Sequence, residues 1–130
     1  MIKTNDLRLN NLVKWNDSVQ KITAIAFGNC LLDKNPTADY PVKITEIEPI
    51  YLTEEWLLKA GFERVFTNDF WYQIRIGDKR LLVSTLGGNV EIEKWDRTMI
   101  NFSSICEYVH QLQNLYSALH YEELVFSTEP

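Results

Sequence analysis

The chain has 130 residues, of which 45% are hydrophobic and 24% charged, a composition that predicts a folded globular protein with its own hydrophobic core. Its net charge of −5 disfavours nucleic-acid binding, because an acidic chain repels phosphate unless its basic residues cluster, and Lys79-Arg80 is the one adjacent basic pair. The opening residues lack the apolar core of a signal peptide, and no apolar run approaches membrane-spanning length, so we expect a cytoplasmic protein without membrane contact.

Short strands dominate the first fifty residues. Turn-forming residues at 16–18 and 28–29 separate the first three of them, and a polar loop with two prolines at 33–41 precedes the fourth. Strands this closely spaced predict a small, strongly bent sheet and, by analogy at the level of fold, an SH3-like barrel. The predicted strands are residues 12–15, 19–27, 30–32 and 42–50.

Residues 53–61 carry the clearest helix signal. Thr53 is the predicted N-cap, and Glu54 and Glu55 place negative charge at the positive end of the helix dipole. Gly61 ends the helix, because glycine adopts the left-handed conformation without a Cβ clash. A helix of about two turns is unstable alone, so its apolar residues must pack on another element.

A meander of antiparallel strands is predicted for residues 70–93, after a strand at 62–66. Hydrophobic and polar residues alternate there between two tight turns, Gly77-Asp78 and Gly87-Gly88. If both turns are two-residue loops, one face of the sheet is nearly all apolar and the other is mixed, as expected for a sheet covered on one side. The pattern becomes irregular after residue 97.

The mixed face of this meander carries a candidate binding site. The register places Arg75 directly opposite Arg80, an unfavourable pair of like charges that Glu93 beside them can compensate. Trp71 lies on the same face, and an exposed tryptophan flanked by arginines can stack a base or sugar, or anchor a protein contact. The alternative is that another element covers this face.

A final amphipathic helix is predicted to begin at Ser103 or Ser104 and to end near Leu119, followed by a loose tail. Its apolar residues form one stripe of about 120°, which predicts the face toward the core. His110 and Asn114 lie on the opposite face, and His110 is expected to be solvated. Neutral amides cost less to desolvate than ions, so this amide-rich face is either ordinary surface or a contact surface for a partner.

Two stretches, LTEEWLLKAGF at 52–62 and YVHQLQNLYSAL at 108–119, resemble landmarks of a family of small proteins from phages and mobile elements of gut bacteria. The opening LRLNNLV at 7–13 resembles the same family more weakly. The chain departs from the family at 119–121, where a Thr-Gly helix stop is expected. The family has no assigned activity, so the resemblance implies a bacterial or phage setting and no catalytic residues.

The catalytic and metal-binding motifs that were sought are missing from the sequence. His110 and His120 lie about 80° apart on a helix, too far to share a metal ion, and Cys30 and Cys106 lack a metal-type spacing. The sequence has neither a nucleophile elbow nor a phosphate-binding loop. We therefore expect that the protein is not an enzyme and that it has no cofactor, no metal and no identified small-molecule ligand.

The sequence as a whole predicts an α+β protein. A β-rich part at 1–50 is followed at 51–130 by a short helix, an antiparallel meander and a C-terminal amphipathic helix, and we expect the two parts to pack as one unit. The expected function is a non-enzymatic protein-interaction or self-association module, and the alternative is nucleic-acid binding through the small barrel and the patch of Trp71, Arg75 and Arg80. The candidate interaction residues are Trp71, Arg75, Arg80, His110 and Asn114.

Overall fold

The computed structural model describes residues 6–34, 41–66 and 70–127, except for the side chains of residues 102–105. The described residues form an α+β fold with two antiparallel sheets and two α-helices, which confirms the predicted fold class. The chain divides into two compact units. Unit 1 consists of Met1–Tyr51 and Tyr108–Asn114, and unit 2 of Leu52–Glu107 and Leu115–Pro130.

Unit 1 contains a four-stranded antiparallel sheet whose strands follow each other in chain order. The backbones of Lys14 and Glu48 exchange hydrogen bonds of 2.8 and 2.9 Å, which tie the first strand to the segment after the fourth and curl the sheet into a half-barrel. A 3₁₀ turn at Ile44–Glu46 interrupts the extended segment predicted at 42–50. The strands are β1 Leu12–Trp15, β2 Ser18–Ala26, β3 Asn29–Leu32 and β4 Val42–Lys43.

The core of unit 1 follows from the alternation of side chains along these strands. Every second residue points inward, except at the register shift between Ile22 and Ala24, and the 3₁₀ turn adds Ile44 from its own first position. Trp15 and Ile25 pack against this core and are half-buried. The buried core residues are Val13, Ile22, Cys30, Leu32, Val42, Ile44 and Ile47.

Two tight turns in unit 1 place non-glycine residues in the left-handed region. Asn16 and Asp17 have φ of 51° and 61° between β1 and β2, and Phe27 and Gly28 have φ of 52° and 79° between β2 and β3. Asparagine and aspartate tolerate this conformation well, whereas a bulky side chain does not. Phe27 is also fully exposed, so no packing compensates for its conformational cost.

Unit 2 contains a five-stranded antiparallel sheet whose strands also follow chain order, together with a short helix before it. The second helix follows the sheet, and its first half belongs to unit 1. The elements are α1 Glu54–Lys59, β5 Glu63–Arg64, β6 Trp71–Ile76, β7 Lys79–Ser84, β8 Asn89–Glu93, β9 Met99–Ile105 and α2 Val109–His120.

The register of the meander was predicted correctly at its first turn and wrongly at its second. Arg75 faces Arg80 across the Gly77-Asp78 turn, as expected. The second turn has four residues, 85–88, so Arg80 faces Glu93. A shift of two residues leaves every side chain on its predicted face, because the side-chain period of a strand is two. The apolar face is buried through Tyr72, Leu81, Val83, Val90 and Ile92.

The segment after the meander differs most from the prediction. Residues 99–105 form strand β9, although an irregular segment and a helix start at Ser103 or Ser104 were expected, and α2 begins only at Val109. The segment MINFSSI combines β-branched, aromatic and small residues, which suit a strand paired on β8. A serine can cap a helix, but the pairing with β8 is the stronger local interaction here.

Helix α1 ends as predicted, and the C-terminal segment packs against it. Gly61 has φ of +93°, the left-handed conformation that ends the helix, whereas the hydroxyl of Thr53 makes no capping hydrogen bond. Trp56 meets Phe126 edge to face at 5.4 Å, and the backbone N–H of Ser127 donates to the carbonyl of Lys59. The prediction of a loose tail is therefore wrong as far as residue 127.

Replacing Phe27 with asparagine should stabilise the protein. Asparagine adopts the left-handed conformation at lower cost, and no packing is lost because the Phe27 side chain is fully exposed. We expect the free energy of unfolding in urea to rise by about 1 kcal/mol. Phe27→Leu is the matched control, and an equal gain in that variant would mean that conformational strain is not the cause.

Candidate functional site

The side-chain amides of α2 bind the N-terminal segment of unit 1. Gln113 Nε2 donates to the carbonyl of Asn10 at 3.0 Å, and Gln113 Oε1 accepts from the backbone N–H of Leu12 at 2.8 Å. Both polar groups of this buried amide are therefore satisfied by backbone groups just before and within β1.

Asn114 continues this set of contacts. Its Oδ1 accepts from Nδ2 of Asn11 at 2.8 Å and from Nε of Arg8 at 3.0 Å, and its Nδ2 donates to the carbonyl of Asp6 at 2.7 Å. Asn11 is fully buried, so its amide depends on Asn114 for this contact. Asn114, predicted as part of a contact surface, thus holds the N-terminal segment in place.

Gln111, the third polar amide of the helix, has a capping role. Its Oε1 accepts a hydrogen bond of 3.1 Å from the backbone N–H of Tyr108. Tyr108 lies just before the first helical residue. This is the arrangement in which the third helical residue reaches back to the N-cap. The amide-rich face predicted from the sequence is therefore used for folding within unit 1.

His110 is buried, with 2% of its surface exposed, so the expectation that it is solvated is wrong. Its ring stacks on Tyr108 at 5.8 Å, and its Nδ1 has no hydrogen-bond partner among the described residues. Burial lowers the pKa of His110, while the charge of Asp6 acts in the opposite direction. The helix wheel failed here because the polar side of α2 is also covered, by the segment of residues 6–12.

Glu93 compensates the repulsion between Arg75 and Arg80 on the mixed face of the unit 2 sheet, as the sequence suggested. Arg80 binds both carboxylate oxygens of Glu93, Nε to Oε1 at 2.9 Å and Nη2 to Oε2 at 2.8 Å, and also donates to Oε1 of Gln73. The hydrogen bond from Arg80 lowers the pKa of Glu93. A bidentate pair of this kind fixes both side chains.

Arg75 and Arg80 line a polar surface cleft of about 480 Å³ at the end of the sheet where the β6–β7 and β8–β9 turns lie. The lining also contains two carboxylates and one aromatic ring. The aromatic ring is that of Trp95, which is 73% exposed. The remaining lining residues are Asp78, Glu93, Lys94 and Arg97.

Trp71, the aromatic residue that the sequence placed beside the arginines, does not line this cleft. It shares their face of the sheet, but it pairs with Ser84 at the other end of the hairpin, about 13 Å along the strand from Arg75. Trp71 is half-buried and Ser84 is buried, so this end of the face is partly covered. The sequence did not indicate Trp95 and Arg97 as site residues, because it predicts an irregular segment after residue 97 instead of strand β9 and therefore no turn between β8 and β9.

Strand β9 forms one edge of the unit 2 sheet, and β8 is its one strand neighbour within the described part of the chain. Met99 and Ile100 are 43% and 41% exposed, and Asn101 is exposed as well. The strand contains no charged residue, no proline and no glycine. The opposite edge, β5, consists of two charged residues, Glu63 and Arg64.

An apolar groove of about 310 Å³ adjoins this edge within unit 2. Ile100 of β9 lines it, together with side chains of the neighbouring strands and of the end of α2. Tyr121, just after the helix, is almost fully exposed and lines the groove as well. The apolar lining residues are Ile76, Leu81, Ile92, Ile100, Leu119 and Tyr121.

Comparison with protein-family models, curated proteins and solved structures found no match to this chain. The resemblance to a phage and mobile-element family stays a prediction. Among the residues described, no three His, Cys, Asp or Glu side chains are grouped to hold a metal ion. None of their helices has the length and apolar character needed to cross a bilayer.

Replacing Asn114 with alanine should destabilise the protein. The change removes the acceptor for the buried Asn11 amide and the contacts to Arg8 and Asp6. We expect the free energy of unfolding to fall by about 1 to 3 kcal/mol, the usual cost of leaving a buried polar group unsatisfied. Asn89→Ala, at an exposed position, is the control. A loss no larger than in that control would contradict the proposed role.

His110 should make stability depend on pH near neutrality. Because burial lowers its pKa from 6.5, the unfolded chain takes up a proton at this position at a higher pH than the folded protein does. The free energy of unfolding is then highest above about pH 6.5 and decreases as the pH falls below that value. Urea unfolding at a series of pH values measures this slope.

His110→Phe keeps a ring that can stack on Tyr108 and should remove the slope. The carboxylates with a lowered pKa, Glu54, Glu93 and Asp96, have ordinary values of 4.5, 4.5 and 3.8, so their contribution is lost at lower pH. An unchanged slope in His110→Phe would mean that another group causes it.

Proposed function

We propose that the protein is a non-enzymatic self-association module that pairs with a second copy through the edge of strand β9. The observation that carries this proposal is an edge strand without a single charge, of which residues 99–101 are exposed. The proposal needs no cofactor, metal or small-molecule ligand. A bacterial or phage-infected cytoplasm, as the resemblance implies, is a compatible setting.

Edge strands present unpaired backbone N–H and C=O groups that bind another strand unless something prevents it. Natural sheets use short edges, charged side chains or prolines for this purpose. β5 follows this rule, with two residues and both of them charged. β9 has seven residues without a charge or a proline, and its pairing with β8 is regular over residues 99–102 before the register shifts at 103–104, so residues 99–102 are the part of this sheet edge suited to strand addition.

A second copy of the chain suits this edge well. Two identical strands related by a twofold axis pair in antiparallel fashion, and the contact is then self-complementary. Because β9 is uncharged, such pairing brings no like charges together. The exposed side chains of Met99 and Ile100 and the groove beside Ile100 supply apolar surface that the contact can bury.

The test is the mass of the protein in solution, measured by light scattering on a size-exclusion column. We expect the wild-type protein to have twice the chain mass of 15.3 kDa. Asn101→Lys should be monomeric, because a lysine on an edge strand opposes strand addition. The variant should still fold, since Asn101 faces Glu91 across β8 and the new charge is favourable there.

Leu86→Lys is the matched control. It introduces the same charge at an exposed apolar position in the β7–β8 turn, away from the β9 edge, and should leave the dimer intact. A wild-type protein that stays monomeric at its highest soluble concentration would overturn self-association. So would an Asn101→Lys variant that dimerises as well as the wild type.

A further inference from the structure

The polar cleft at the turn end of the unit 2 sheet has a charge opposite to that of the chain as a whole. Four of its lining residues are cationic and two are carboxylates, in a protein of net charge −5. Cationic side chains concentrated in a concave site attract anions more strongly than the same charges spread over a surface. The local excess of positive charge therefore points to an anionic ligand.

The two carboxylates of this cleft do not supply a hydrogen-bond acceptor to every arginine in it. Glu93 is bound in bidentate fashion by Arg80, so its oxygens are already engaged. Within the described part of the chain, no side chain accepts a hydrogen bond from the guanidinium of Arg75 or Arg97, although the charges of both act on Glu93. These two groups are available to a ligand, and an arginine is suited to bind two oxygens of one phosphate.

The backbone conformation of Arg97 indicates that this residue has a functional role. Arg97 has φ of +68° in the turn between β8 and β9, a position at which glycine or asparagine is favoured. The turn is closed by hydrogen bonds of 2.9 Å between Lys94 and Thr98 and between Arg97 and Lys94, which hold this conformation. Residues with an unfavourable backbone conformation are frequent at binding sites.

Trp95 supplies an aromatic surface beside these charges. It lies two residues before Arg97, lines the same cleft and is 73% exposed. An exposed indole next to arginines is a combination that stacks a nucleobase while the cations hold the phosphate. The cleft volume of about 480 Å³ accommodates one nucleotide.

We propose that this cleft binds a phosphate ester carrying a flat aromatic group, that is, a nucleotide, either free or as part of a single-stranded nucleic acid. Arg75 and Arg97 bind the phosphate, and Trp95 stacks on the base. Arg80 positions the site through its pair with Glu93. This inference does not depend on self-association through β9.

The experiment is a titration of the full chain, followed by two-dimensional ¹H–¹⁵N NMR. Three ligands are compared: a nucleoside monophosphate, inorganic phosphate and a short oligothymidylate. We expect the nucleoside monophosphate to shift the indole N–H of Trp95 and the amide of Arg97 in a saturable manner, and to bind more tightly than phosphate does. Tighter binding of the oligothymidylate, decreasing steeply with salt, identifies nucleic acid as the source of the nucleotide.

Arg97→Gly separates binding from folding. Glycine suits the left-handed conformation, so the thermal unfolding midpoint should stay or rise, while the affinity for the nucleoside monophosphate should fall about tenfold. Lys43→Gln, an exposed charge removed from unit 1, should leave the affinity unchanged. Absence of saturable shifts, equal affinity for inorganic phosphate, or unaltered binding by Arg97→Gly would each overturn the proposal.

Discussion

Hydrogen bonds from the side-chain amides of α2 to the segment of residues 6–12 are the interaction on which unit 1 depends. Gln113 and Asn114 satisfy backbone and side-chain groups of a stretch that precedes and enters β1, more than 100 positions away in the chain. These groups are buried or partly buried, so water cannot replace the contacts freely. The curled sheet of unit 1 therefore includes the helix as one of its packing partners.

Because these amides are used within the fold, they do not provide the interaction surface expected from the sequence. The two features for which we propose binding lie in unit 2 and are an uncharged sheet edge and a cationic cleft. The two features differ in the chemical groups that they offer to a partner. The edge offers unpaired backbone groups and apolar side chains, whereas the cleft offers guanidinium groups and an exposed indole.

Two turns between strands break the usual rules of turn chemistry, and both are on the surface. Phe27 and Arg97 adopt left-handed conformations that asparagine or glycine would adopt at lower cost. Arg97 lies in the cationic cleft, where its charge gives a reason for the exception. The side chain of Phe27 is fully exposed, so packing does not offset the conformational cost there. Departures from local preference of this kind are more frequent at functional positions than elsewhere.

The sequence by itself determined the local features: the helix stop at Gly61, the faces of the meander and the opposition of Arg75 and Arg80. These depend on residue periodicity and turn chemistry, which act over a few positions. Only the tertiary structure decided that His110 is buried, that β9 pairs with β8, and that Trp95 rather than Trp71 lies beside the arginines. The physical reason is that burial and strand pairing depend on neighbours distant in the chain, which neither a helix wheel nor a local pattern contains.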